Sequence, residues 1–223
     1  MDTEHLEINS EFFNDIVVDI KKRNLSRDNM PKLIVGTGLS VIYGVPGMKA
    51  LAEHLAKEIA LSSDEHLKEV WKNHSDVIKR NGLEAGLANL AQDENDLVDA
   101  IKEITAHFIL DSEEKLHRTI REENTGFCKL LDYLRGTVSV DKRIIDIMTP
   151  NYDRIIEIIC DRLGIGVITG FSGSLYGRFN RNLLKQPTEM YNCRNYAWIR
   201  LFKPHGSINW ISENGQEGES KIY

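Results

Sequence analysis

The chain has 223 residues, 41% of them hydrophobic, and its 28 Lys and Arg stand against 34 Asp and Glu for a net charge of −6. That apolar content suffices for a buried interior, in one large domain or a core with a lobe, and the charge balance offers no basic field of the kind that gathers nucleic acid non-specifically. No apolar run approaches the roughly 18 residues of a membrane span, and the acidic start Met1-Asp2-Thr3-Glu4-His5 leads into no hydrophobic leader. Cys128, Cys160 and Cys193 are odd in number, far apart and free of any Cys-x-x-Cys spacing, so the expectation is a cytoplasmic protein with buried free thiols.

Along the chain, Phe12, Phe13, Ile16, Val17 and Ile20 fall at helical intervals over residues 9–23, with Lys21, Lys22 and Arg23 in the last turn where cations suit the helix dipole. Lys32-Leu33-Ile34-Val35 is a short apolar run stopped by Gly36, which predicts a buried parallel strand. A helix follows Gly44-Val45-Pro46-Gly47, with Met48, Leu51, Leu55 and Ile59 on one face. From Ser62 to about Gly136 the pattern is helical, opened by a capping box at Ser62-Ser63-Asp64-Glu65 and renewed around Asp111-Ser112-Glu113-Glu114. Trp71, Leu83, Leu87, Leu90, Leu97, Ile101, Ile104 and Phe108 are its expected core, and the run Glu113-Glu114-Lys115 is read as a solvated face.

Strand character returns at Arg143-Ile144-Ile145-Asp146-Ile147-Met148. A helix is predicted from Asp153 to Leu163, a strand at Gly164–Thr169, a further strand at Ala197–Phe202, and a polar, turn-rich stretch from Ser212 to Gly218. The sum is an α/β protein: a Rossmann-like parallel sheet flanked by helices. Residues 1–30 form a leading helical segment, 31–61 and 137–223 the sheet core, and 62–136 a helical insertion or lobe. So few strands leave open a sheet incomplete at the C-terminus, in a piece of a longer protein.

Three motifs sit directly after apolar strands, where open α/β sheets collect ligands. Gly36-Thr37-Gly38-Leu39-Ser40, with Gly44-Val45-Pro46-Gly47 downstream, has the small residues that let a phosphate approach the backbone, and equally reads as a tight structural turn. Val41 replaces the third glycine of a dinucleotide fingerprint and no Gly-Lys-Ser/Thr is present, which argues against an ordinary dehydrogenase or P-loop ATPase. Thr149-Pro150-Asn151-Tyr152-Asp153 offers an amide and a carboxylate, or simply a helix N-cap. His205 follows a strand between Pro204 and Gly206, with Ser207 and Asn209 placed to hold one tautomer; a proton-transfer role and a structural turn both fit. His54, His66, His74, His107 and His117 fall on helices without metal-ligand partners and are expected at the surface.

Together, in order and context, these motifs resemble those of the sirtuin superfamily: a Gly-Ala-Gly-x-Ser loop with a downstream Gly-Ile-Pro, here Gly36-Thr37-Gly38-Leu39-Ser40 with Gly44-Val45-Pro46, a Thr-x-Asn-x-Asp segment and a His-Gly. Lys203-Pro204-His205-Gly206-Ser207-Ile208-Asn209-Trp210 and Gly170-Phe171-Ser172-Gly173 look closer to the bacterial sirtuin-like NAD hydrolases of anti-phage defence, including those that assemble with HerA-type ring ATPases. The resemblance spans roughly residues 32–210. It implies NAD as substrate, cleaved to nicotinamide and ADP-ribose, with Asn151 and His205 catalytic and Gly36, Thr37, Gly38, Ser40, Asn151 and Asp153 binding the dinucleotide. It also implies a homo-oligomer and a ring-ATPase partner. Gly47-Met48-Lys49 stands where the deacylases carry an aromatic-Arg pair, and residues 207–223 hold no cysteine for a zinc ribbon, so no metal is expected and water becomes the acceptor. A protein deacylase or ADP-ribosyltransferase, and a nucleotide-binding scaffold for a ring ATPase, stay open as alternatives.

Overall fold

The computed structural model describes residues 11–27, 29–88, 95–120, 125–138, 144–172, 177–187, 196–212 and 220–222. Leu90, Gly173, Cys193, the first ten residues and 213–219 lie outside the described residues. Its centre is a four-stranded parallel sheet, flanked by helices in a Rossmann-like α/β arrangement. The strands are β1 (Leu33–Ile34), β2 (Ile144–Met148), β3 (Gly166–Ile168) and β6 (Trp198–Phe202), in the spatial order β1-β2-β6-β3, while β4 (Phe171–Ser172) and β5 (Arg178–Phe179) form a separate antiparallel pair. The β2-α-β3 unit read from sequence is present with α8 (Ile155–Leu163) as its crossover, but its two strands are not neighbours: β6 lies between them.

The alternation of strand side chains explains the layering. Ile145 and Ile147 of β2 and Ile199 and Leu201 of β6 are fully buried and join one core with Ile155, Ile156 and Ile159 of α8 and with Leu131 and Leu134 of α7 (Gly126–Thr137). On the opposite sheet face Asp146 and Arg200 stand side by side in register and form a two-pronged ion pair, at 2.6 and 2.9 Å. Cys128 and Cys160 are free and buried in the first core. Burial, reinforced by the charges of Glu157 and Asp161, pushes the Cys160 thiol well above its ordinary 9.0 and keeps it uncharged.

A second core belongs to the helices alone. Leu51, Leu55 and Ile59 of α3 (Met48–Leu61) meet Leu67, Val70, Trp71 and Ile78 of α4 (Glu65–Asn81), Leu83 of α5 (Leu83–Leu87), and Leu97 and Ile101 of α6 (Asn95–Thr119). Helix α6 reaches both cores, since Leu116 packs with the sheet. Several local expectations change. Asp64, rather than Ser62, caps α4, its Oδ1 accepting from the amides of His66 and Leu67 at 2.9 and 3.1 Å. Helix α6 runs without a break through 111–114, so that stretch starts nothing new. Glu113, expected in solvent, is 1% exposed because α6 turns it toward Arg154. His54 is half-buried and stacks on Phe108, with ring centroids 4.3 Å apart. Helix α1 (Glu11–Asn24) has no buried residue, and Phe12 is 63% exposed.

Candidate functional site

The three motifs meet because three strands end together. Ile34, Met148 and Phe202 are the last residues of β1, β2 and β6, and they stand in register across the sheet. The ladder continues one residue further through Val35 N–H to Met148 O and Thr149 N–H to Phe202 O, both 2.9 Å. Two inter-strand steps amount to roughly 10 Å, so the segments after Val35, Met148 and Phe202 start within one small-molecule length of each other at the carboxyl edge. They line a single cavity of about 910 Å³, closed on its far side by the helical core. Thr37, Ser40, Asn151, Asp153 and His205 all contribute to its wall.

The glycine segment is mostly helix rather than loop. Gly36 is the N-cap of α2 (Thr37–Ile42), so Gly38 lies inside a turn of helix, and neither has φ in the left-handed region. A Cβ built on either would meet nothing within 4 Å, so neighbouring side chains do not require these two glycines. Gly44 does adopt a left-handed φ of 82°, which turns the chain so that Val45 N–H returns to Ser40 O at 2.9 Å. That turn aims Val45, Pro46 and Gly47 at the cavity, where Gly47 caps α3.

Asn151 is held by a buried relay. Its Nδ2 donates to Gly36 O at 3.0 Å and to Ser40 Oγ at 2.8 Å; Ser40 Oγ donates in turn to Asp153 Oδ2 at 2.5 Å. Asp153 Oδ1 accepts from Ile155 N–H at 3.2 Å at the start of α8. The helix begins at Ile155, two residues later than its sequence pattern suggests, because Asp153 serves its first free amide from outside. Each link orients the next. The hydroxyl is polarised by the carboxylate, the amide faces the hydroxyl nitrogen-first, and Asn151 Oδ1 is left without a hydrogen-bond partner among the described residues. Ser40, Asn151 and Asp153 are 2%, 8% and 7% exposed, which makes an unpaired group there costly and the relay correspondingly well defined.

His205 is built differently. It is exposed, has no hydrogen-bond partner among the described residues, and faces Tyr152 at a ring-centroid distance of 6.3 Å and a tilt of 40°. Ser207 and Asn209 do not hold its imidazole as expected. Ser207 Oγ donates to Tyr152 O at 3.2 Å and accepts from Lys203 Nζ at 2.9 Å, while Asn209 faces a separate cavity beside Arg154 and Glu157.

Two charged residues support the site and were not singled out by their sequence. Lys203 has a fully buried side chain whose Nζ donates to Asp153 O at 2.5 Å, Ser207 Oγ at 2.9 Å and Glu157 Oε1 at 3.0 Å. Glu113 accepts from Arg154 N–H through Oε1 and from Arg154 Nε through Oε2 at 2.9 Å, tying α6 to the residue after Asp153. A lysine directly before Pro-His-Gly was the available signal for the first. The second had none, because Glu113 finds its partner 41 residues away.

Among the described residues no group of His, Cys, Asp and Glu is assembled to hold a metal ion, and no helix is long and apolar enough to cross a membrane. The fold and site are those of a Rossmann-like α/β protein with a cavity at the carboxyl edge of its sheet where three strand ends meet. The chain matches no protein-family model and no curated protein.

Proposed function

We propose that the protein is an NAD hydrolase that cleaves the bond between nicotinamide and ribose, giving nicotinamide and ADP-ribose. The observation that carries this reading is the convergence of Ser40, Asn151, Asp153 and His205 on one cavity of about 910 Å³ from three separate segments. In the reaction the C1′–N bond breaks with its electron pair passing to the pyridinium, which leaves as neutral nicotinamide. Water forms the new C1′–O bond and gives up a proton. Asn151 Oδ1, the free end of the relay, accepts a hydrogen bond from that water or from a ribose hydroxyl. His205 takes the proton and passes it to solvent, to which its exposed ring is open. Gly36 and Gly38, with open space where a Cβ would stand, and the N-terminus of α3 at Gly47 flank the phosphates. Asp153 acts chiefly through Ser40, since each of its oxygens already accepts one bond from the protein. Orientation of an already activated bond is the main contribution asked of the protein.

Such an enzyme depletes the cofactor of the cell that makes it. That consequence fits an effector of anti-phage defence, working in the cytoplasm as a homo-oligomer gated by a HerA-type ring ATPase, as the resemblance implies. Purified protein, alone and with such a partner, is incubated with NAD and the products are separated by chromatography. Equimolar nicotinamide and ADP-ribose are expected. NAD consumption only in the presence of an acyl-lysine peptide would make it a deacylase, and binding without cleavage in the complete assembly would make it a scaffold.

A further inference from the structure

Lys203 is a costly residue to bury, and stability alone does not explain it. Lysine is almost never fully enclosed unless paired, and a buried ion pair is commonly no better for stability than apolar side chains of the same volume. Here three ammonium hydrogens meet three acceptors, of which only Glu157 is charged; the other two are the backbone carbonyl of Asp153 and the hydroxyl of Ser207. The Ser207 arm extends further. Ser207 Oγ donates to Tyr152 O, which also accepts from Ile208 N–H at 3.0 Å. Two successive carbonyls, those of Tyr152 and Asp153, are thus gripped from the segment that follows β6.

His205 rides on the crest between the two anchors. The turn beneath it is closed by Gly206 N–H to Lys203 O at 3.0 Å and needs the left-handed φ of 90° at Gly206. Since the imidazole has no hydrogen bond of its own among the described residues, its place in the cavity is set by the residues on either side of it. We propose that Lys203 is a positioning residue that clamps segment 203–208 onto segment 151–153 and thereby fixes the His205 imidazole opposite the Asn151 amide. The catalytic consequence rests on the hydrolase reading; the geometric one does not.

The test uses the full chain carrying Lys203→Met or Ser207→Ala, each alone and combined with His205→Ala. Steady-state NAD turnover is measured alongside the imidazole ring signals by NMR. With its clamp cut, either variant should lose kcat by about tenfold to a hundredfold, the scale of a misplacement near 1 Å, while KM for NAD moves by less than about threefold. In the His205→Ala background neither should cost anything more. The ring signals of His205 should shift or broaden while those of His54, stacked on Phe108, stay in place. Losses that multiply with that of His205→Ala would overturn the proposal, as would unmoved His205 signals in folded Ser207→Ala. Ser207→Ala decides the matter if Lys203→Met does not fold, since it removes one arm only. A wild-type protein inert toward NAD in its complete assembly would remove the hydrolase reading, and the NMR comparison would then decide the clamp by itself.

Discussion

The two sides of the cavity are built on opposite principles. On one, Asn151 is buried and both of its amide hydrogens are committed, to Gly36 O and to Ser40 Oγ. On the other, His205 is exposed and free of hydrogen bonds among the described residues, placed by its backbone alone. An amide that only has to orient a ligand gains from being locked, because every alternative rotamer leaves buried donors unpaired. An imidazole that has to exchange a proton with water gains from access. The contrast suggests that stability and activity are linked on the first side and separable on the second.

That separation is the largest effect to test. Under the proposed hydrolase function, Asn151→Ala and His205→Ala should each lower NAD turnover by about 10²- to 10³-fold. Their stabilities should diverge. Asn151→Ala takes the Nδ2 donor from buried Ser40 Oγ and leaves Gly36 O with Leu39 N–H alone, and should cost about 1–3 kcal/mol, whereas His205→Ala should stay within about 0.5 kcal/mol of the parent. Urea midpoints at constant m-value measure both. Equal losses of stability would mean that the histidine is as structural as the amide, and the distinction between the two sides would collapse.

The next largest effect concerns what braces the locked side from behind. Glu113, 1% exposed on α6, holds both the backbone amide and the guanidinium of Arg154, next to Asp153. Glu113→Ala leaves those donors facing an apolar gap and should destabilise by about 2–4 kcal/mol, at the lower part of the range for broken buried pairs because Arg154 is 30% exposed. Glu113→Gln, which can still accept from the amide, should recover about half. A loss below about 0.5 kcal/mol in the alanine variant would show that the helical core does not brace the site.

These elements differ in how far they can be read from the chain. The sheet was legible because Leu33-Ile34, Ile144–Met148 and Trp198–Phe202 are short apolar runs with punctuation, although the first, expected to be buried, is an edge strand with Ile34 76% exposed, and the motifs were legible because each follows such a run. The ends of those strands also had to stand in register for the motifs to meet, and no local pattern specifies that. Strand order was equally hidden: β6 enters between β2 and β3, which end about fifty and about thirty residues before it, beyond the reach of any local pattern. The same limit applies to side chains. Charge runs are exposed more often than not, so Glu113 read as solvated until a partner from another element claimed it. Ser207 stands two residues from His205 yet turns to Lys203 and Tyr152, since sequence proximity does not set side-chain direction.

The smallest expected effect separates the clamp from the charge beneath it. Glu157 Oε1 accepts from Lys203, but Oε2 is buried without a partner among the described residues. Burial raises the Glu157 carboxyl above its ordinary 4.5, outweighing the opposing pull of the Lys203 ammonium. A raised value means the folded chain holds this proton more tightly than the unfolded chain. The resulting stabilisation is fully present below about pH 4.5 and is lost as pH rises through the raised value. Glu157→Gln removes the titration. Measured by urea unfolding at a series of pH values, the stability of the parent relative to Glu157→Gln should therefore fall as pH rises across that window and level off above it. A difference that instead grew with pH would mean that the ion pair with Lys203 outweighs burial, and Lys203 would then owe its place to Glu157 rather than to the loops it joins.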